Sequence, residues 1–198
     1  MKPGKQIASN VRVIRLALVF EGGLVIVALM LGWLVNSPPF AQFQFGWQGG
    51  AWGTLATLPP LLVMLIASQS GYGPIKHLFR LSRERVLIFF SGASLLDLAL
   101  IAGVAGIGEE ALFRGVIQTR LAIEFTPWAG IVITSLLFGL VHFISLSYAI
   151  FAALFSLYLG WLLLSFDNLL VPIITHGLYD FIVLAYLKVR QPNQVPSK

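Results

Sequence analysis

The chain has 198 residues, 58% of them hydrophobic and 11% charged, with a net charge of +5 and a mean hydropathy of +0.87. An average soluble domain is about 45–50% apolar and about 25% charged, so this composition excludes a soluble enzyme and a disordered linker, and the bilayer is the expected solvent for most of the chain. The basic residues sit in a few clusters between apolar runs, the pattern of loops under the positive-inside rule, which argues against a nucleic-acid partner, and the absence of cysteine removes disulfides, thiol nucleophiles and thiolate metal sites.

A membrane-spanning helix needs about 20 mostly apolar residues. Ile14 to Val35 meets this, and the preceding Lys2, Lys5, Arg12 and Arg15 place its N-terminal side in the cytoplasm. The run is too long for a signal-peptide core and is expected to be a retained first span. Asn36 to Gly50 is an uncharged loop rich in Pro, Gly, Gln and aromatics, and a second span covers Ala51 to Ala67 despite Pro59-Pro60. Gln69 to Arg85, with Lys76, Arg80, Arg83 and Arg85 against Glu84, reads as a cytoplasmic loop in which His77 is solvated. A third span is expected from Val86 to Ile107. The shorter, charged helix Glu109 to Phe125 follows, then apolar runs at Trp128–Phe143, Leu146–Phe166 and Leu169–Leu187. Asp167-Asn168 reads as a turn, and 188–198 as a polar tail. The fold class is all-α, a polytopic transmembrane bundle of six to eight helices. It divides into N-terminal spans with the basic loop (1–85), a core (86–187) and the tail.

An ionisable side chain inside a span costs several kcal/mol on insertion scales, so each is a functional candidate. These are Glu21, Asp97, Glu109, Glu110, Arg114, His142, His176 and Asp180. Glu110 and Arg114 are an i, i+4 pair on one helix face, whereas Glu109 projects about 100° away and is free to meet another helix. An ion pair at a helix start explains Glu110 and Arg114, but not the second carboxylate beside them. His142 ends an apolar run, four residues after Phe138. His176 and Asp180 share a face of the last span, a spacing that lets two groups hold a metal or one orient the other. Both histidines are candidate partners for Glu109. Glu21 and Asp97 read as relay groups, orienting groups or polar ties between helices.

Three elements therefore stand in order: Glu109-Glu110-x-x-x-Arg114, Phe138-x-x-x-His142 and His176-x-x-x-Asp180. This resembles the CPBP family of intramembrane proteases, which includes CAAX proteases and bacteriocin-processing or Abi proteins, over about residues 86 to 187. Phe113-Arg114-Gly115 also fits the first motif, while Asp180 stands where many relatives carry Asn. The resemblance implies peptide-bond hydrolysis in or at the membrane, as by the type II CAAX prenyl endopeptidase. It names Glu109, Glu110, Arg114, His142, His176 and Asp180 as catalytic residues. The substrate is then a membrane-associated peptide or protein, such as a prenylated tail or a leader peptide.

Two mechanisms stay open at this stage. A desolvated Glu109 can act as general base, with His142 positioning the water and His176 and Asp180 holding the developing oxyanion. Alternatively Glu109, His142 and His176 supply ligands for zinc, so the cofactor is either zinc or none. Two other functions share these features: a non-catalytic bacteriocin self-immunity or scaffold protein, and a small proton-coupled transporter. Topology also conflicts. Six crossings satisfy the charge rule but put Glu109 and His142 at opposite faces; seven bring them together but send Lys188, Arg190 and Lys198 outside. A multi-pass cell-membrane protein of prokaryotic type is expected.

Overall fold

A computed structural model describes residues 3–90 and 92–189; the polar tail beyond residue 189 lies outside the described residues. The described residues form an all-α bundle without strands. Beyond Arg15, helix α1 (Pro3–Leu34) is apolar on every side apart from Glu21, and Leu16, Val19, Phe20, Met30 and Trp33 point outward. A helix apolar all round belongs in a core or in lipid, and this one is not in the core. α2 (Trp47–Ala56) and α3 (Leu58–Ser68) run nearly continuously through Thr57, with the Pro59-Pro60 pair in the first turn of α3, where a missing N–H does no harm. α2 begins at Trp47, inside the segment expected to be loop.

The expected basic loop is instead a helix, α4 (Gly73–Phe90). Lys76, His77 and Arg80 on it are exposed, while Ile75, Leu78 and Phe79 turn inward. The local cluster of charges hid this amphipathic period. The expected third span is also corrected. The chain breaks after Phe90 and a new helix, α5 (Leu95–Glu110), begins at a capping box. Ser94 N–H donates to Asp97 Oδ2 at 2.7 Å and Asp97 N–H donates to Ser94 Oγ at 3.1 Å. Asp97 is therefore a helix-start residue and not a mid-span charge. Lys188, near the end of the last helix, donates to the Ala93 carbonyl and ties that junction to the far end of the chain.

α5 does not stop at the charged motif. It continues as a π-helical segment, Ala111–Gln118, and then as α6 (Thr119–Glu124), giving one rod from Leu95 to Glu124, roughly 45 Å long at 1.5 Å per residue. The expected third span and the separate Glu109 helix are thus a single element. Thr126 caps α7 (Pro127–Val141), Ser145 caps α8 (Leu146–Phe166), and left-handed Asp167 ends α8 before α9 (Leu170–Val189). Loop 36–46 is clasped to this last turn: Gln42 Nε2 donates to Asp167 Oδ1 at 2.7 Å, and Asn168 Nδ2 to the Gln44 carbonyl at 3.0 Å.

Among the described residues, four helical stretches are long and apolar enough to cross a membrane: Val11–Leu34, Trp47–Ser68, Leu146–Phe166 and Leu170–Val189. Pro127–Val141 is a shorter apolar helix. The chain is a multi-pass membrane protein with the charged rod at its centre, packed against α1, α7 and α9.

Candidate active site

The rod carries Glu109, Glu110 and Arg114 into the middle of the bundle, where Glu110 and Arg114 are fully buried and Glu109 is 8% exposed. Close helix approach sets the site. α9 crosses α5 at Gly106 and Gly177, and a Cβ on Gly106 would lie 3.0 Å from the Gly177 nitrogen. Small residues let backbones of membrane helices meet in this way. Gly106 lies one turn before Glu110 and Gly177 follows His176, so this crossing brings the two side chains together.

Glu110 Oε1 accepts from Arg114 Nη1 at 3.1 Å and from His176 Nδ1 at 2.7 Å. Arg114 Nη2 continues to the Ser156 carbonyl at 3.0 Å and its hydroxyl at 2.9 Å, and the guanidinium lies 5.0 Å from the Phe138 ring centre. A buried cation of this kind needs such partners, because stripping water from it is costly. The π-helical turn begins next to Glu110, and widened turns of this type are frequent at functional sites. Gly115 has its own reason: a Cβ there would fall 1.9 Å from the Pro39 carbonyl oxygen, so loop 36–46 reaches the rod only over a glycine.

Glu109 points elsewhere, as its angular offset requires. Its Oε2 faces His142 Nε2 at 3.6 Å. His142 Nδ1 donates to the Phe138 carbonyl at 2.9 Å, and the imidazole stacks on the Phe138 ring at 4.2 Å between centres. The carbonyl can only accept, so in the neutral ring Nδ1 carries the hydrogen and Nε2 presents a lone pair to Glu109. On the other side His176 Nε2 lies 3.4 Å from Asp180 Oδ2. Phe138 and Phe155 set their rings edge-on to His176, at 6.2 and 5.5 Å. The two histidines, both candidate partners of Glu109, thus divide: His142 takes Glu109 and His176 takes Glu110.

Glu109, His142, His176 and Asp180 all line one cavity of about 640 Å³. Its remaining wall is largely apolar, supplied by α3, α4, α8 and α9, including Met64, Phe79, Phe151 and Leu184. The inner face of α4 is part of that wall. Glu21 on α1 comes within electrostatic reach of Glu109, Asp180, His176 and His142. Its backbone carbonyl packs against Gly108, although Glu21 does not line the cavity. Asp97 stands apart at the start of α5.

Zinc does not fit this donor set. Among the described residues no three His, Asp or Glu side chains converge as ligands. His176 has one ring nitrogen on Glu110 and the other facing Asp180, and His142 offers only Nε2, opposite Glu109. Ser156, which completes the Arg114 environment, gave no sequence signal, since it is one of three serines in a mostly apolar helix and lies 42 residues from Arg114.

Residues 91–182 match the family model described as Type II CAAX prenyl endopeptidase Rce1-like. No curated protein matches the chain, and no solved structure does. The matched segment contains the rod from its capping box onward, α7, α8 and α9 as far as Asp180, and so every side chain of the two carboxylate–histidine pairs. Residues 91–182 are therefore similar to Rce1-like type II CAAX prenyl endopeptidases, a likeness consistent with the CPBP family of intramembrane proteases.

Proposed function

We propose that the protein is an intramembrane endopeptidase in which Glu109 activates water against peptide bonds of membrane-associated or lipid-modified peptides. The observation that carries this reading is the pair Glu109 Oε2 and His142 Nε2, 3.6 Å apart on the wall of a largely apolar cavity. Both groups are acceptors there, so a water between them donates one hydrogen to each and turns its lone pair outward. As its oxygen bonds to the peptide carbonyl carbon, one proton passes to Glu109 and the carbonyl oxygen becomes an oxyanion. Collapse of the tetrahedral centre breaks the C–N bond, and Glu109 returns the proton to the departing amine. His176, held at Nδ1 by Glu110, faces the cavity together with Asp180 and holds the carbonyl oxygen. Arg114 and Glu110 orient His176 and do not meet substrate.

The rod also bears on topology. With Leu95–Glu124 as one crossing, the bundle crosses six times. The N-terminal basic cluster, exposed Lys76 and Arg80 on α4, and Lys188 then fall on one side. The positive-inside rule makes that side cytoplasmic, in a cell membrane.

The test uses purified protein in detergent and quenched peptides bearing a prenyl or acyl tail. Wild type is expected to cleave with or without a strong chelator, and Glu109→Ala to lose at least about 100-fold in kcat. Loss of wild-type activity on chelation, restored by zinc, would replace this reading with a metal-dependent one.

A further inference from the structure

Any hydrolysis at Glu109 requires hydrogen-bond donors for the oxyanion, and these are scarce on the cavity wall. Glu109 and Asp180 are carboxylates, which accept when ionised. His142 Nδ1 is spent on the Phe138 carbonyl, and its Nε2 faces the base. His176 Nδ1 is spent on Glu110, which leaves at most one hydrogen between Nε2 and Asp180 Oδ2. A tetrahedral oxyanion is ordinarily held by more than one preorganised donor.

Two phenols, Tyr148 and Tyr179, and the serines Ser82 and Ser147 also line this cavity; of these side chains the phenols carry the more acidic O–H, the stronger donor to an oxyanion. Tyr148 is in the first turn of α8, where the Ser145 cap accepts from its backbone N–H at 3.2 Å. It lies on the α8 face that continues through Phe151 and Phe155 to His176. Its hydroxyl makes no hydrogen bond within the described residues. Tyr148 lies within electrostatic reach of both Asp180 and Glu109, whereas Tyr179 lies within reach of Asp180 and packs its ring 4.6 Å from Phe155. A carbonyl attacked by water at Glu109 and held at His176 must lie between those two groups, and Tyr148 lies within reach of Glu109 and of Asp180, the carboxylate that faces His176 Nε2.

The geometry points to Tyr148 as a further catalytic residue, a neutral O–H donor to the oxyanion of the tetrahedral intermediate that shares this role with His176. The inference rests on the proposed protease reading. The phenol forms no bond to carbon and keeps its proton; its hydrogen bond shortens as charge develops on the oxygen and relaxes when the C–N bond breaks.

The test compares wild type, Tyr148→Phe, Tyr179→Phe and Glu109→Ala on the same lipid-tailed peptide. It also measures binding of that peptide with a phosphinate, a tetrahedral anion, in place of the scissile amide. Tyr148→Phe keeps the ring and removes only the hydroxyl. We expect kcat to fall by about 100-fold with KM within threefold of wild type, and phosphinate affinity to fall in parallel. The melting temperature should stay within 2–3 °C, roughly the shift from a change under 1 kcal/mol. If wild-type cleavage depends on Glu109 but Tyr148→Phe stays within threefold in kcat, the inference is overturned and the protease reading stands. A loss in Tyr179→Phe alone overturns it equally. Absence of any Glu109-dependent cleavage by the wild type overturns the protease reading, and the role of Tyr148 with it.

Discussion

Glu109 and His142 stand equally far along the chain from the turn that joins their helices: Glu109 precedes the end of α6 by as many residues as His142 follows the start of α7. That is roughly 20 Å of helix on each side, and it puts Oε2 and Nε2 3.6 Å apart deep in the bundle. The apparent choice between a charge-consistent topology and a chemically sensible one disappears, because the segments on either side of Glu109 are one helix.

His142 closes α7 with its side chain 28% exposed toward the cavity, and its hydrogen bond is to a backbone carbonyl of its own helix. Replacing it frees the Phe138 carbonyl and Glu109 Oε2, and Glu109 still faces the cavity. His142→Ala is expected to lower kcat by at least about 100-fold while the melting temperature moves little. Paired peptide-cleavage and thermal-unfolding measurements on the same preparation check this. A fall in melting temperature that accounts for the lost activity would contradict it.

Arg114 behaves in the opposite way. Removing one partner of a buried ion pair strands the other and typically costs about 3–5 kcal/mol, so Arg114→Met is expected to unfold far more readily in a denaturant series. Glu110→Gln combined with Arg114→Met should cost less than the sum of the two single changes, because neither variant group then lacks a partner charge. An additive double-mutant cycle would show that Glu110 and Arg114 do not depend on each other.

Gly115 and Gly103 give a matched pair on the same rod. A Cβ at Gly115 meets the Pro39 carbonyl oxygen at 1.9 Å, whereas at Gly103 it meets nothing within 4 Å. Gly115→Ala must push loop 36–46 away and is expected to destabilise by about 2 kcal/mol or more, in the range of overpacked cores. Gly103→Ala is expected to be neutral or mildly stabilising through helix propensity. Unfolding of the two variants side by side decides the point.

Much of this arrangement was legible in the chain. The i, i+4 spacings of Glu110 with Arg114 and of His176 with Asp180 appear as real pairs, and the divergence of Glu109 from Glu110 follows from one residue of helical rotation. The runs later seen as α7, α8 and α9 were recognisable from hydropathy alone. Two misreadings have physical causes. A basic amphipathic helix has low mean hydropathy, so α4 looked like a loop until its apolar face was seen against the cavity. The apolar stretch 86–107 looked continuous because a Ser94–Asp97 capping box is short and leaves no gap in hydropathy. The partner choice of the histidines and the contribution of Ser156 depend on how helices cross, which no single segment encodes.

A single oxygen atom, Glu110 Oε1, receives both Arg114 and His176, residues that enter from the rod and from the last helix. Two of the three sequence motifs are thus joined through one atom: a change at Glu110 strands both Arg114 and His176, and a change at either of those removes one of the two partners of a buried carboxylate. Gradual drift at 110, 114 and 176 passes through such stranded intermediates. The three side chains are accordingly one energetic unit held at a single oxygen.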